Sequence, residues 1–185
     1  MISINWVDIL VACIIARGIY IGQKSSLFNE FFKFLSLLST TVITLHYYIW
    51  FGSFLKDKVV FLNGHEDIFA FVFISAVIIA LFTLTREGWS LIFRKEAHPM
   101  LDKWGGLIFS LGKTYLFCGL VWLALVISGN DYLRQSAGQS LSTFFLDFVS
   151  LGIYQMCYSG VLIKIAPHEP INEKLLEILS QGITQ

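Results

Sequence analysis

The stretch Ile68-Phe-Ala-Phe-Val-Phe-Ile-Ser-Ala-Val-Ile-Ile-Ala-Leu-Phe82 contains no ionisable residue and a single hydroxyl, that of Ser75. An α-helix needs roughly 20 predominantly apolar residues to cross the hydrocarbon core of a bilayer. The apolar pattern continues to Thr85, beyond which the helix has room to extend into the headgroup region. We therefore predict a transmembrane helix over about residues 68–92.

Three further stretches have similar character, over about residues 4–21, 31–54 and 104–128. The first is marginal, because its uncharged part between Asp8 and Arg17 is short; it spans only if Asp8 lies at one interface and Arg17 extends toward the other. Since the N-terminus has no basic stretch or cleavage pattern, we expect this segment to be retained as an anchor. The sequence thus predicts an all-α fold, an integral membrane bundle of four transmembrane helices.

A fifth apolar or interfacial helical region covers about residues 132–166, and its apolar stretch 141–166 carries polar residues every three to five positions from Ser140 to Ser159. This drifting polar stripe favours an interfacial helix, although a fifth span stays open. Pro167 and Pro170 end the region, and residues 167–185 read as a short amphipathic tail. We assign residues 1–166 to one membrane domain, because no linker or low-complexity tract divides it.

Composition agrees with a membrane protein. Hydrophobic residues make up 56% of the 185 residues, charged residues only 14%, and the mean hydropathy is +0.70. Soluble domains carry about 25% charged residues. The formal net charge is zero, which gives no basic excess for nucleic acid and argues against a nucleic-acid partner.

Basic residues set the predicted orientation. The first and third connections hold Lys24, Arg94, Lys95 and Lys103, and the second holds Lys56 and Lys58. Because short cytoplasmic loops are enriched in Lys and Arg, we expect the first and third connections to face the cytoplasm. The N-terminus and the segment after residue 128 would then lie outside.

Few ionisable residues interrupt or border the apolar runs: Asp8, Arg17, Glu30, Lys33, Glu87, Lys113 and Asp147. A charge inside a bilayer is costly, so these residues are the best candidates to carry function, and opposite charges at one depth are expected to pair. With the predicted topology Arg17, Glu30, Asp102 and Lys113 lie at similar depth near the cytoplasmic helix ends. We predict a charge lattice there, with Arg17 or Lys113 paired to Glu30 or Asp102; separate extension of each side chain to water is the alternative. Asp8 would lie on the outer side.

Small residues four apart let helices approach closely in lipid. Four series have this spacing: Gly18-x-x-x-Gly22-x-x-x-Ser26, Gly106-x-x-x-Ser110-x-x-x-Thr114, Ala12-x-x-x-Ala16 and Ala76-x-x-x-Ala80. The Gly106 series is the strongest candidate for a helix contact, since three members share one face.

Motifs for catalysis or metal binding are absent from the sequence. It has no Gly-x-Ser-x-Gly, His-Glu-x-x-His or phosphate-binding loop, and its four histidines are dispersed. The cysteines, Cys13, Cys118 and Cys157, are far apart and read as packing residues. His46 reads as a hydrogen-bonded core or near-interface residue. We expect no enzyme activity, metal or cofactor.

Two motifs resemble the colicin V production protein (CvpA) family of small bacterial inner-membrane proteins. The first is Asp8, then Arg17-Gly18-x-x-x-Gly22, then Glu30. The second is Asp102-Lys103-x-x-Gly106-x-x-x-Ser110-x-x-Lys113-Thr114. Ser110 and Thr114 stand where the family favours glycine, so we expect a slightly wider helix approach at these positions.

The resemblance implies four spans, a bacterial plasma membrane, and a role in the production or export of a peptide toxin and in envelope homeostasis. It implies no molecular activity. Our main hypothesis is a non-enzymatic membrane component whose partners are the lipid bilayer and either further copies of itself or a secretion or envelope membrane protein. The alternative is a small transporter or channel subunit that uses the buried charges as a path.

Overall fold

A computed structural model describes residues 4–58, 65–92, 99–128, 130–162 and 164. Within these ranges the chain is helical and contains no strand. The helices are α1 (Trp6–Gly22), α2 (Leu27–Lys58), α3 (Glu66–Ile92), α4 (Pro99–Ile127), α5 (Asp131–Gln139) and α6 (Thr143–Cys157), and a π-helical turn covers Tyr158–Leu162. The all-α prediction is confirmed for the described residues, and the predicted tail, 167–185, lies outside them.

Three helical segments are long and apolar enough to cross a membrane: Leu27–Lys58, Glu66–Gly88 and Asp102–Ile127. They correspond to the second, third and fourth predicted spans. The first predicted span corresponds to α1, which has 17 residues and is not one of the three. The described part of the chain is therefore all-helical with three candidate spanning helices, and the four-span bundle stays a prediction.

The long helices alternate in direction. Helix α1 runs antiparallel to α4, because Gly18 faces Thr114 and Gly22 faces Ser110. Helix α2 runs parallel to α4, since the start of α2 contacts Asp102 and Phe34 lies against Gly112 two to three turns later. Helices α2 and α3 are antiparallel. Leu27, Glu30, Asp102 and Gly22 consequently gather at one end of the bundle, which we call the inner end.

The core lies toward the opposite end, called the outer end, where α5 and α6 pack on the long helices. Leu45, Tyr48, Leu123, Leu146 and Tyr154 are all shielded from solvent almost completely. Apolar side chains also cover much of the outside: Val72, Phe73, Leu81, Leu84 and Ile108 are all more than 45% exposed. An outside surface of this kind suits lipid or another apolar helix better than water.

The region after α4 differs in detail from the sequence prediction. A break at residues 140–142 divides it into α5 and α6, and α6 packs on α4 and α2. Leu146 and Tyr154 of α6 are wholly buried, so at least one face of α6 belongs to the protein core. The interfacial placement of this region, which the sequence favours over a fifth span, stays a prediction.

Candidate functional site

Glu30 is the most deeply buried charged residue of the described part, with no exposed side-chain surface. It lies in the first turn of α2 and is held by two cations. The Nζ atom of Lys33, one turn further along α2, is 2.7 Å from Oε1, and the Nζ atom of Lys113 on α4 donates to Oε2. A carboxylate in the first helical turn also interacts favourably with the helix dipole. We call these three residues the Glu30 cluster.

Asp102 connects the same two helices differently. Its Oδ1 atom accepts a hydrogen bond of 2.7 Å from the backbone N–H of Leu27, the first residue of α2. This N–H has no partner inside α2, so the carboxylate of α4 caps α2. Asp102 and Glu30 therefore lie at one end of the bundle, as the sequence predicts, but of these two only Glu30 is paired to a cation of the described residues.

Arg17 does not take part in the Glu30 cluster. Its side chain is exposed, and within the described ranges it forms no ion pair. The reason is helical geometry: Gly18 faces α4, and a neighbouring residue in the sequence is rotated by about 100° from that face. Of the pairings that the sequence allows, the structure brings together Lys113 and Glu30. The side chain of Asp147 lies outside the described part.

The crossing of α1 and α4 depends on small residues. A Cβ atom added at Gly18 would collide with the Thr114 side chain, and one added at Gly22 would lie 2.6 Å from Cβ of Ser110. At Gly106 it would lie 2.7 Å from the backbone oxygen of Ser25. These separations are shorter than van der Waals contact, so no larger side chain fits without movement of the helices.

Ser110 adds a polar contact to this crossing. Its Oγ atom donates a hydrogen bond of 2.8 Å to the backbone oxygen of Gly18, and the residue is completely buried. The close approach at Gly18 and Gly22 shows that hydroxyl residues in place of glycine do not prevent tight packing there. In contrast, Ala12, Ala16, Ala76 and Ala80 are exposed, so these two alanine series do not mark a helix contact of the described chain.

Asp8 organises the outer end. Its carboxylate accepts hydrogen bonds from the backbone N–H of Asn5 at 2.9 Å, the hydroxyl of Ser140 at 2.7 Å, and the backbone N–H and hydroxyl of Ser142, both at 2.8 Å. Asn5 completes a capping box of α1 and donates through Nδ2 to the backbone oxygen of Ser136. The start of α1 is thereby attached to the break between α5 and α6. The sequence predicted only an outer polar position for Asp8; the Ser-x-Ser pair was the missed signal.

His46 lies in the outer half of α2, where its Nδ1 atom is 3.1 Å from the hydroxyl of Tyr154. The rings of Tyr47 and Tyr158 also lie against it. This agrees with its prediction as a hydrogen-bonded residue. Among the described residues no three His, Cys, Asp or Glu side chains gather as a metal site.

The family model described as Colicin V production protein matches residues 7–150. The chain belongs to this family. No curated protein and no solved structure matches it. The matched range contains the Glu30 cluster, the α1–α4 crossing, and Asp8 with its partners Ser140 and Ser142, while Asn5 precedes it. Family membership and the apolar helices together fit a membrane protein.

Proposed function

We propose that this protein is a non-enzymatic, multi-pass component of the bacterial inner membrane that supports peptide-toxin production or export and envelope homeostasis. It would act through helix packing and contacts with membrane partners. The observation that best supports this proposal is the Glu30 cluster. It is a buried charge held by cations from two helices, in a protein whose outer surface is largely apolar. Such a cluster holds α2 and α4 in register, because both oxygens of the buried carboxylate are engaged by lysines.

In the proposed arrangement α1 is a fourth, short span. Its 17 residues are at the lower limit for crossing, and it packs antiparallel to α4, as a first span would. Alternating helix directions support an up-and-down path through the bilayer. The inner end would face the cytoplasm, because Lys24 and Lys103 lie beside it.

Cysteine accessibility tests this arrangement. In a background without Cys13, Cys118 and Cys157, Gln23→Cys reports on the inner end and Gln135→Cys on the outer end; both native side chains are exposed. We expect a membrane-impermeant maleimide to label Gln135→Cys in intact spheroplasts and Gln23→Cys only after permeabilisation. The reverse pattern would overturn the orientation, and loss of the chain from membranes washed with carbonate would overturn the membrane placement.

The proposed role needs a separate test in cells. In a toxin-producing strain that lacks its own family member, the chain should restore toxin release, and Lys113→Met, which disrupts the Glu30 cluster, should fail to do so. Arg17→Met is the matched control, because Arg17 is exposed and outside the cluster. Equal toxin release with and without the wild-type chain would contradict the role.

A transporter or channel subunit is the alternative, since a buried carboxylate is a common part of an ion path. The engagement of both Glu30 oxygens by lysines favours a structural role. Ion flux in liposomes that contain only this protein, abolished by Glu30→Gln, would decide for the alternative. Absence of flux would leave the packing role as the better account.

A further inference from the structure

A cleft of about 310 Å³ opens between α2, α3 and α4 near the inner end. One cation from each helix lines it: Lys33 from α2, Arg86 from α3 and Lys113 from α4. Aromatic rings from the same three helices, those of Phe32, Phe82 and Phe117, form its apolar part. Basic and aromatic groups thus meet in one cavity, although no motif in the sequence brings them together.

The charges at the cleft do not balance. Three cations line the cavity, and Glu30, which both lysines contact, supplies one negative charge. Arg86 is half-buried and forms no ion pair within the residues that the structure describes. Among the described residues that line the cleft or contact its lysines, two positive charges therefore lack a compensating anion, in surroundings where the attraction between opposite charges is stronger than in water.

On each helix a cation of the cleft lies nearer the inner end than one of the apolar lining residues. In each pair the cation is nearer the inner end, and the apolar residue lies about one or two turns closer to the middle of the bundle. The pairs are Lys33 and Leu37 on α2, Arg86 and Ile79 on α3, and Lys113 and Phe117 on α4. Phe117 is 42% exposed, so the cleft opens at the side of the bundle. An occupant must be anionic at the inner end and apolar toward the middle.

We propose that this cleft binds an anionic phospholipid, with the headgroup phosphate between Lys33, Arg86 and Lys113 and the start of an acyl chain on the phenylalanines. The guanidinium group of an arginine can donate two parallel hydrogen bonds to a phosphate. Basic pockets between membrane helices on the cytoplasmic side are suited to lipid phosphates. The volume accommodates a headgroup, while the remaining hydrocarbon lies outside the cleft in the bilayer. The inference rests on the membrane placement proposed above.

Native mass spectrometry of the detergent-purified full chain tests the proposal with two added lipids, phosphatidylglycerol and phosphatidylcholine. The wild type should retain phosphatidylglycerol in preference to phosphatidylcholine. Arg86→Gln should retain about fivefold less phosphatidylglycerol, as expected for one basic group near a phosphate. The matched control Arg17→Gln removes the same charge from an exposed position outside the cleft and should leave retention unchanged. The proposal would be overturned if Arg86→Gln and Arg17→Gln retained equal amounts of phosphatidylglycerol. It would also be overturned if the wild type retained the two lipids equally.

Two further arms separate a lipid from a free anion and from general surface charge. Thr83→Trp fills the cleft without changing a charge and should also reduce phosphatidylglycerol retention. Unchanged retention in this variant would place the lipid elsewhere and refute the site. Millimolar inorganic phosphate should not displace the lipid, since it lacks the acyl chain; full displacement would show a phosphate site and overturn the lipid assignment.

The two proposals fail in different ways. If the chain remains in carbonate-washed membranes but Arg86→Gln and Arg17→Gln retain lipid equally, the lipid site is refuted and the membrane role stands. If the chain leaves those membranes, the membrane role itself is refuted. Thermal unfolding without added lipid should be alike for the two arginine variants, because neither side chain is paired within the described ranges.

Discussion

The two ends of the bundle fix a buried or half-buried carboxylate by different means. At the inner end Glu30 is completely buried and held by two lysines. At the outer end Asp8 is only partly buried and accepts hydrogen bonds from neutral donors, chiefly Ser140, Ser142 and Asn5. The difference shows that complete burial within apolar helices calls for opposite charge, whereas a carboxylate at a helix start is stabilised by backbone and hydroxyl groups.

The largest effect should come from breaking the inner pair. Lys113→Met leaves Glu30 wholly buried with Lys33 alone, and removal of one partner from a buried ion pair costs about 3–5 kcal/mol. We expect low accumulation in membranes and a much lower thermal unfolding midpoint in mild detergent. The double variant Glu30→Leu with Lys113→Met should recover much of the loss, because it leaves no unpaired charge of that pair. Stability of the single variant equal to that of Arg17→Met would show that the pair is unimportant.

A smaller loss should follow from disturbing the helix crossing near that end. Gly106→Ala places a methyl group 2.7 Å from the backbone oxygen of Ser25, which cannot rotate away, and overpacking of this kind costs about 1–3 kcal/mol. Gly88→Ala is the matched control, since an added Cβ meets nothing within 4 Å there. The control should be stabilised by about 0.5–1 kcal/mol through better helix propensity. Thermal unfolding that ranks the two variants equally would contradict the close approach.

At the outer end, Asp8→Ala removes the acceptor of the Asn5, Ser140 and Ser142 hydrogen bonds. We expect a loss of about 1–2 kcal/mol, the upper range for a helix cap, because the lost acceptor also joins α1 to the break between α5 and α6. Hydrogen exchange should increase at both segments together. Faster exchange in α1 alone would mean that the two segments are not coupled through Asp8.

The smallest effect should come from Asp102→Asn. The amide retains one oxygen that can accept from the Leu27 N–H, so we expect a loss below about 1 kcal/mol. Asp102→Ala removes the acceptor and should cost about 1 kcal/mol. If Asp102→Asn were as damaging as Lys113→Met, Asp102 would need its charge, and the contrast between capping and ion pairing at the inner end would fail.

Much of the helical layout could be predicted from local pattern. The apolar runs predicted α2, α3 and α4, because a long, predominantly apolar stretch has few other structures available. Gly18 and Gly22 were found by their four-residue spacing, which places them on one face of α1, and Gly106 was found by the same spacing to Ser110 on α4. The break between α5 and α6 was missed, since its serines gain meaning only beside Asp8, more than 130 residues earlier in the chain.

The inner charges show the same limit. The sequence predicted a similar depth in the bundle for Arg17, Glu30, Asp102 and Lys113. Depth alone does not give the rotation of each helix about its own axis. That rotation places Lys113 on Glu30, leaves Arg17 exposed and makes Asp102 a cap. Lys33 belonged to the cluster by its i+3 spacing from Glu30, a relation visible in the sequence.

By itself the sequence determined an all-helical, strongly apolar chain with the residues of the Colicin V production family, since both helix formation and family motifs depend on local spacing. Only the tertiary structure decided which carboxylate meets which cation, and that Lys33, Arg86 and Lys113 share one cleft. These contacts join separate helices, and their distances depend on how the helices cross and rotate, which no single segment encodes.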